Sequence, residues 1–267
     1  MPSVYSMELY ASKCIFEITA NGLFLFHKNA ANGRSISYPL NTELIGKDNV
    51  VNITLLPTVL ENGQISRLED INISGTIKRY GEDDFTGPET GQLLTKIDFT
   101  DVITKSKALS FKITDPSKLF PLSKEFKFDN DELSFRNRLL EAPIIIDEKM
   151  LLAYAEKLRD IIARQDVEEL YKEYKPKLDD YTIAYPKQFP DPKQWFIDFL
   201  KNDFFPGGPI TDFKRDAIGL KSWCGGRIWE IFVKPEQEFF RNKGLDGDIN
   251  TMELFVGMVD NSLKILR

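Results

Sequence analysis

Histidine and cysteine are scarce in this chain of 267 residues, which contains one histidine, His27, and two cysteines, Cys14 and Cys224. With a single imidazole, chemistry that pairs a histidine with a nucleophile is limited to what His27 can reach. Two cysteines far apart in the sequence give neither the spacing of a zinc site nor a disulfide framework. The sequence therefore predicts no metal, no cofactor and no catalytic residue.

Basic runs and long apolar runs are also missing. The 35 Lys and Arg residues are scattered and are outnumbered by 41 Asp and Glu, which gives a formal net charge of −6. This balance disfavours binding to phosphate backbones and anionic lipids. No apolar run reaches the roughly 18 residues of a membrane helix, and the first residues lack the pattern of a signal peptide. We expect a cytoplasmic protein that binds neither nucleic acid nor membrane.

Short runs of alternating apolar and polar residues fill the stretch from residue 5 to about 113. They include CIFEI, LFLFH, NVVNITLLP, INISGTIKRY and LLTKIDF, separated by Asn, Gly, Asp and Pro. Helical periodicity is absent there. Several short strands at this spacing are typical of two packed sheets, so we predict an antiparallel β-sandwich domain over residues 1–113.

The clearest hairpin signal in this stretch is Asn21-Gly22. Both residues tolerate the positive φ that a two-residue turn requires. Pairing outward from the turn places Phe16 and Ile18 on one face and Phe26 on the other.

Residues 114–146 contain three prolines and no sustained period. They also contain many apolar side chains, so we predict a packed linker and not a flexible tether. From Asp147 the period becomes helical. One amphipathic helix is predicted after Asp147, a second from a capping box at Asp166 up to Pro176, and a third after Asp191.

The period returns to two after the sequence PGGP. The runs DAIGLKSWC and RIWEIFV flank Gly225-Gly226, and QEFFRN, TMELFVGMV and LKILR continue a meander. Residues 147–267 are therefore predicted to form an α+β domain with three helices followed by a curved antiparallel sheet.

This C-terminal domain, with its segment AEKLRDIIARQDVEELYKEY, resembles the NTF2-like cone fold. In that family the sheet wraps the helices around a concave cavity, which members use for catalysis, ligand binding or dimerisation. The resemblance implies a ligand pocket or a homodimer through the C-terminal sheet, and fold alone does not decide between them.

The N-terminal domain is similar to bacterial β-sandwich modules through CIFEITANGLFLF, SYPLNTELI and ITLLP. Such modules occur in proteins encoded near polymorphic or type VI secreted toxins. The resemblance implies a protein partner, such as a secreted toxin encoded nearby.

Cys224 stands beside Gly225-Gly226, between two tryptophans. A two-residue turn at the glycines places Cys224 at a strand end, which favours an inert thiol over a nucleophile. The same pairing places Trp223 and Trp229 on opposite faces of the sheet. We expect one tryptophan to be in the core and the other to face a partner or pocket, although core packing of both is the alternative.

Two acidic loops could bind a ligand or a partner, and for each the alternative is a solvated turn without a function. Asp246, Asp248 and Asn250 alternate as in a calcium loop, but the chain lacks the required Gly and the closing acid. Glu82, Asp83 and Asp84 form a cluster that could dock onto a basic partner.

Carboxylates for acid/base chemistry would have to lie in the C-terminal domain, and nothing in the sequence selects one. The candidates are Asp179, Asp180, Asp198, Glu230 and Glu238. Aromatic residues that could line a pocket, with helix packing as the alternative, are Tyr181, Tyr185 and Trp195.

These observations favour a non-enzymatic bacterial binding protein, most specifically an immunity-type inhibitor that neutralises a cognate toxin by protein-protein contact. The alternative is small-molecule binding, or a lyase- or isomerase-type enzyme, that uses the NTF2-like cavity.

Overall fold

The computed structural model describes residues 2–61, 63–81, 89–110, 116–235, 237–244 and 248–267, without the side chains of residues 109, 110, 116 and 117. Over these residues the protein is α+β and combines antiparallel sheets with five α-helices. The chain divides into a first unit, Met1–Phe135, and a second unit, Arg136–Arg267. The predicted boundary between residues 113 and 114 falls outside the described residues.

The described part of the first unit contains two four-stranded antiparallel sheets. In spatial order, the first sheet consists of β4 (Arg34–Pro39), β1 (Val4–Ser12), β6 (Asn72–Tyr80) and β7 (Gln92–Asp98). The second consists of β3 (Leu23–Asn29), β2 (Ile15–Ala20), β5 (Asn49–Leu56) and β8 (Leu122–Phe128). Buried and more exposed side chains alternate along β2 and β5, because one face of the sheet packs on the core.

The two lateral sides of this pair of sheets differ. On one side, Phe99 after β7 packs on Phe126 of β8 with ring centroids 5.7 Å apart. There α1 (Thr100–Ser110) also lies against β8, and Lys124 Nζ donates to the carbonyl oxygen of Asp98 at 2.7 Å. On the other side, the edge strands β3 and β4 are joined by residues 30–33. The first side is closed by packing, whereas a groove remains on the second.

The Asn21-Gly22 turn forms as predicted, with φ of 52° and 83°. The predicted facing beyond it is wrong, because a β-bulge shifts the register so that Ile18 pairs with Phe26. Phe26 therefore lies on the same face as Phe16, and the two rings meet edge to face at 6.3 Å. Alternation alone does not reveal a bulge, which adds one residue to one strand.

The helix α1 contradicts the prediction of β-structure up to about residue 113. Its sequence is mostly polar, so no apolar stripe marks it. The Asp98 carboxylate accepts hydrogen bonds from the Thr100 N–H at 2.8 Å and from the Thr100 hydroxyl at 2.6 Å. This local bonding competes with the strand pattern where β7 ends.

The second unit begins with the helical elements α2 (Arg136–Leu139), α3 (Glu148–Ala163), α4 (Val167–Ala184), α5 (Pro192–Phe199) and a π-helical turn, Leu200–Phe204. Each of the three predicted helices has an aspartate cap whose carboxylate accepts a first-turn backbone N–H, namely Asp147, Asp166 and Asp191. None of the helices in the described part of the chain has both the length and the apolar content of a membrane crossing.

The predicted end of the second helix at Pro176 is wrong, since α4 continues through it to Ala184. Proline removes one backbone hydrogen bond and usually ends a helix. Here Glu173 and Asp180 lie on either side of Pro176, and their buried carboxylates form ion pairs with cations of other elements. We attribute the continuation to these tertiary contacts, which outweigh the local preference.

The strands of the second unit follow the helices. The main sheet contains β9 (Ile218–Trp223), β10 (Ile228–Val233), β11 (Gln237–Glu238), β14 (Phe255–Val259) and β15 (Ser262–Ile265), and a separate hairpin contains β12 (Phe240–Lys243) and β13 (Ile249–Met252). Ile231 and Val256 pack with Leu170 and Tyr174 of α4 in one apolar core. These side chains occupy space between sheet and helices.

Candidate functional site

The strands β9 and β10 pair in the predicted register, with Trp223 opposite Ile228 and Trp229 opposite Ser222. The connection is not the predicted two-residue turn. Cys224, like the two glycines after it, has a positive φ, and the three residues form a short 3-10 turn. The two tryptophans lie on opposite faces of the sheet because their pairing positions are adjacent.

Trp229 packs against the core of the second unit, and its Nε1 donates to the carbonyl oxygen of Gly226 at 3.2 Å. Trp223 lies on the other face. Its Nε1 donates to Glu230 Oε2 at 3.0 Å, and Lys221 Nζ lies 4.4 Å from its ring centroid. The structure therefore brings Trp223 and Glu230 together and separates both from Trp229.

Glu230 also influences a second carboxylate, Glu238. Burial and then the charge of Glu230 raise the pKa of Glu238. A carboxyl group with a raised pKa holds its proton to higher pH than a free one, which is a requirement for a general acid. Both side chains are half-buried. The pair offers proton transfer, and the described contacts add no nucleophile to it.

Cys224 is buried and chemically quiet. Burial raises its pKa to about 12, although the charges of Arg267 and Arg227 act in the opposite direction. Burial also raises the pKa of Cys14, to about 11. Both groups are therefore thiols at neutral pH, whereas nucleophilic attack requires the thiolate.

Tyr181, Tyr185 and Trp195 belong to one aromatic cluster at the α4–α5 corner. Phe189 joins them, with its ring centroid 5.7 Å from Tyr181 and 5.1 Å from Trp195. Trp195 also stacks on Phe199 at 5.9 Å and is 48% exposed. The cluster packs the helix corner, and Trp195 presents an exposed ring.

Each of the remaining candidate carboxylates on the helices is engaged in a hydrogen bond or an ion pair. Asp180 is buried and binds Arg267 at 2.7 Å. Asp179 pairs with Lys175 at 2.6 Å near the surface. Asp198 accepts a hydrogen bond from a side-chain amide one turn earlier. These contacts give the three aspartates structural roles.

Glu82, Asp83, Asp84 and Asp246 lie outside the described residues. Within the part of the chain that is described, no group of three or more His, Cys, Asp or Glu side chains could hold a metal ion.

A half-open pocket of about 510 Å³ lies between the π-helical turn and β13. Aromatic and polar side chains line it, namely Phe199, Asn202, Asp203, Phe204, Asn250, Thr251 and Met252. Its volume suits a small molecule, and π-helical turns recur at functional sites. Asp203 is its titratable side chain among the described lining residues.

A second cavity, of about 330 Å³, is the groove on the open lateral side of the first unit, between β3 and β4. We call it the β3–β4 groove, and its lining residues are Phe26, Lys28, Arg34, Ser35, Ile36 and Tyr38. The rings of Phe26 and Tyr38, one from each sheet, lie 5.3 Å apart. Its apolar floor is therefore made by side chains from both edge strands.

Two cations lie at one end of this groove. Lys28 and Arg34 flank the 30–33 connection between β3 and β4. Lys28 pairs with buried Phe16 and Arg34 with buried Ala11, so both are on the core-facing side of their strands. Among the described residues, neither has an ion-pair partner.

The sequence around the groove contains no acidic residue from position 18 to position 42. The sequence predictions missed these lining residues, and placed Phe26 on the wrong face. The acid-free stretch is the signal that could have drawn attention to them, because Asp and Glu are the majority charge in the rest of the chain.

The chain matches no protein-family model, no curated protein and no solved structure.

Proposed function

We propose that this protein is a non-enzymatic binding protein and, more specifically, an immunity-type inhibitor that neutralises a cognate bacterial toxin by protein-protein contact. The observation that carries the proposal is the β3–β4 groove. It combines an apolar floor, two cations and two strand edges on one accessible surface. Exposed edges of this kind are a common way for one protein to hold a segment of another.

The state of the candidate catalytic groups supports binding over catalysis. The Cys224 thiol is protonated, and Asp180 is engaged by Arg267. Glu230 is hydrogen-bonded to Trp223. An inhibitor needs a rigid complementary surface, and these contacts stabilise the unit in which they occur.

The proposal is tested by co-expressing the chain with the product of the neighbouring gene. We expect relief of that product's toxicity and a stable complex on size-exclusion chromatography. The exposed substitution Lys127→Glu on β8 is a matched control that should protect as well as the wild type. A neighbouring product that is not toxic, or toxicity that persists without complex formation, would refute the immunity assignment.

A second candidate is small-molecule binding by the second unit, for which we retain the NTF2-like cone as the proposed fold. Its helices precede an antiparallel sheet, as in that family. The observation in its favour is the 510 Å³ pocket beside the π-helical turn. A thermal-shift screen of carbonyl compounds and apolar acids tests it. A ligand of this pocket should lose its stabilising effect in Asn202→Ala and keep it in Tyr38→Ala.

A further inference from the structure

We infer that the β3–β4 groove binds an extended segment of the partner protein whose groove-facing side, formed by every second residue, carries apolar residues followed by acidic ones, and that this segment adds as a strand to an exposed edge. The inference rests on the proposed protein-binding function and specifies the chemistry of the partner.

The first argument is the geometry of the edges. Among the described strands, β3 pairs only with β2, and β4 pairs only with β1. The side chains of His27, Lys28 and Ser37 on these strands are exposed. No strand of the described part of the chain pairs with the outer side of β3 or β4. An edge strand presents N–H and C=O groups that a further strand can use.

The second argument is the apolar floor. Ile36 and Tyr38 are both on the groove side of β4, two residues apart, and Phe26 faces them from β3. Alternate side chains of an added strand point to the same side at a spacing of about 7 Å. A volume of about 330 Å³ accommodates one or two apolar side chains of such a strand.

The third argument is charge. Lys28 and Arg34 stand together at one end of the floor, and their own stretch of sequence offers no carboxylate from residue 18 to 42. The chain as a whole has a formal charge of −6, whereas the described residues that line the groove include two cations and no carboxylate. Carboxylates of a partner strand would therefore find their complementary charges here.

Inward-facing charges on an edge strand can also serve only to prevent self-association. In that case Lys28 and Arg34 would protect the monomer without recognising acidic groups. The two roles differ in their response to charge reversal, since two glutamates protect an edge as well as two cations do.

The test uses the full chain and a fluorescent peptide of about ten residues in which one set of alternate positions carries valines and, at one end, glutamates, with threonine at the positions between. The control peptide has lysine in place of glutamate. We expect saturable binding of the acidic peptide and at least about tenfold weaker binding of the basic one. The double variant Lys28→Glu, Arg34→Glu should reverse this preference. The charge-conserving variant Lys28→Arg, Arg34→Lys and the distant Lys127→Glu should retain it within about twofold.

Hydrogen exchange supplies the second readout. The acidic peptide should slow amide exchange in 23–29 or 34–39, and a peptide N-methylated along one edge should bind at least about tenfold less tightly. Equal binding of both peptides, binding of neither, or equal binding of an oligonucleotide would overturn the inference.

The proposed function and the inference about the groove can fail independently of each other. A toxin that is held equally well by the charge-reversed variant would leave the function in place and remove the groove as its site. Peptide binding without any neutralised toxin would leave the groove and remove the immunity role.

Discussion

Arg267 Nη1 donates a hydrogen bond to Asp180 Oδ2 at 2.7 Å, and both side chains are only 5% exposed. Seven residues earlier on α4, Glu173 binds Lys264 of β15 at 3.1 Å. Residues seven apart lie on one face of a helix, so α4 is fastened at two points to β15 and the residues after it. These two ion pairs hold the helix layer on the sheet of the second unit.

The first prediction concerns Asp180→Ala. Removing this carboxylate breaks the buried ion pair with Arg267, and breaking a buried pair from one side costs about 3–5 kcal/mol. We expect urea denaturation to show a loss of this size in the free energy of unfolding. The adjacent Asp179→Ala is the control, because its pair with Lys175 is solvent-exposed and contributes less than about 1 kcal/mol. Equal losses for both variants would contradict the buried-pair interpretation.

The second prediction concerns the pH dependence conferred by Glu173. Burial acts to raise its pKa, but hydrogen bonds from Lys157, Tyr154 and Lys264 outweigh burial and hold the pKa below its ordinary value. A carboxyl with a lowered folded-state pKa stabilises the protein above its unfolded pKa of about 4.3, and this stabilisation disappears as pH falls through the folded-state value.

Accordingly, Glu173→Gln should be less stable than the wild type near neutral pH, by about 1–3 kcal/mol. The difference should shrink as pH falls below the unfolded pKa of about 4.3 and through the lowered folded-state pKa, where the wild-type carboxyl takes up its proton. Unfolding curves of both proteins across this range measure it. A difference that is constant with pH would show that the glutamate charge does not contribute.

The sequence predicted the elements whose signals are local. The caps Asp147, Asp166 and Asp191 each form as expected, because a cap depends on a few adjacent residues. The register around Trp223 also forms as expected.

The features that could not be predicted from the sequence depend on packing between residues that are distant in the chain. The continuation of α4 through Pro176 accompanies ion pairs to Lys264 and Arg267, about ninety residues away. The groove likewise requires Phe26 and Tyr38 to meet across two sheets, which no local pattern shows.

The third prediction compares two adjacent glycines. A Cβ at Gly207 would overlap the carbonyl oxygen of Lys243, which belongs to the backbone of β12. Gly208 has open space but a φ of 89°. We expect Gly207→Ala to destabilise by about 3 kcal/mol or more through overpacking and Gly208→Ala by about 1–2 kcal/mol through backbone strain. Thermal unfolding of both variants measures the order, and the reverse order would contradict this close approach.

The fourth prediction concerns the reactivity of Cys224. Cys14→Ala leaves Cys224 as the single thiol, whose burial raises its pKa to about 12. At about pH 8, thiol reagents should therefore label the folded variant at least about a hundredfold more slowly than the same protein unfolded in guanidinium chloride, since attack needs an accessible thiolate.

The labelling rate should also rise with denaturant in parallel with unfolding, as expected when opening of the native structure limits access. Cys224→Ser should not weaken toxin neutralisation, provided that the variant is folded. Fast stoichiometric labelling of the folded Cys14→Ala variant, together with loss of protection in Cys224→Ser, would instead make Cys224 a functional thiol. The turn that carries Cys224 would then be the candidate catalytic site, because Trp223 and Glu230 lie beside it in the same hairpin.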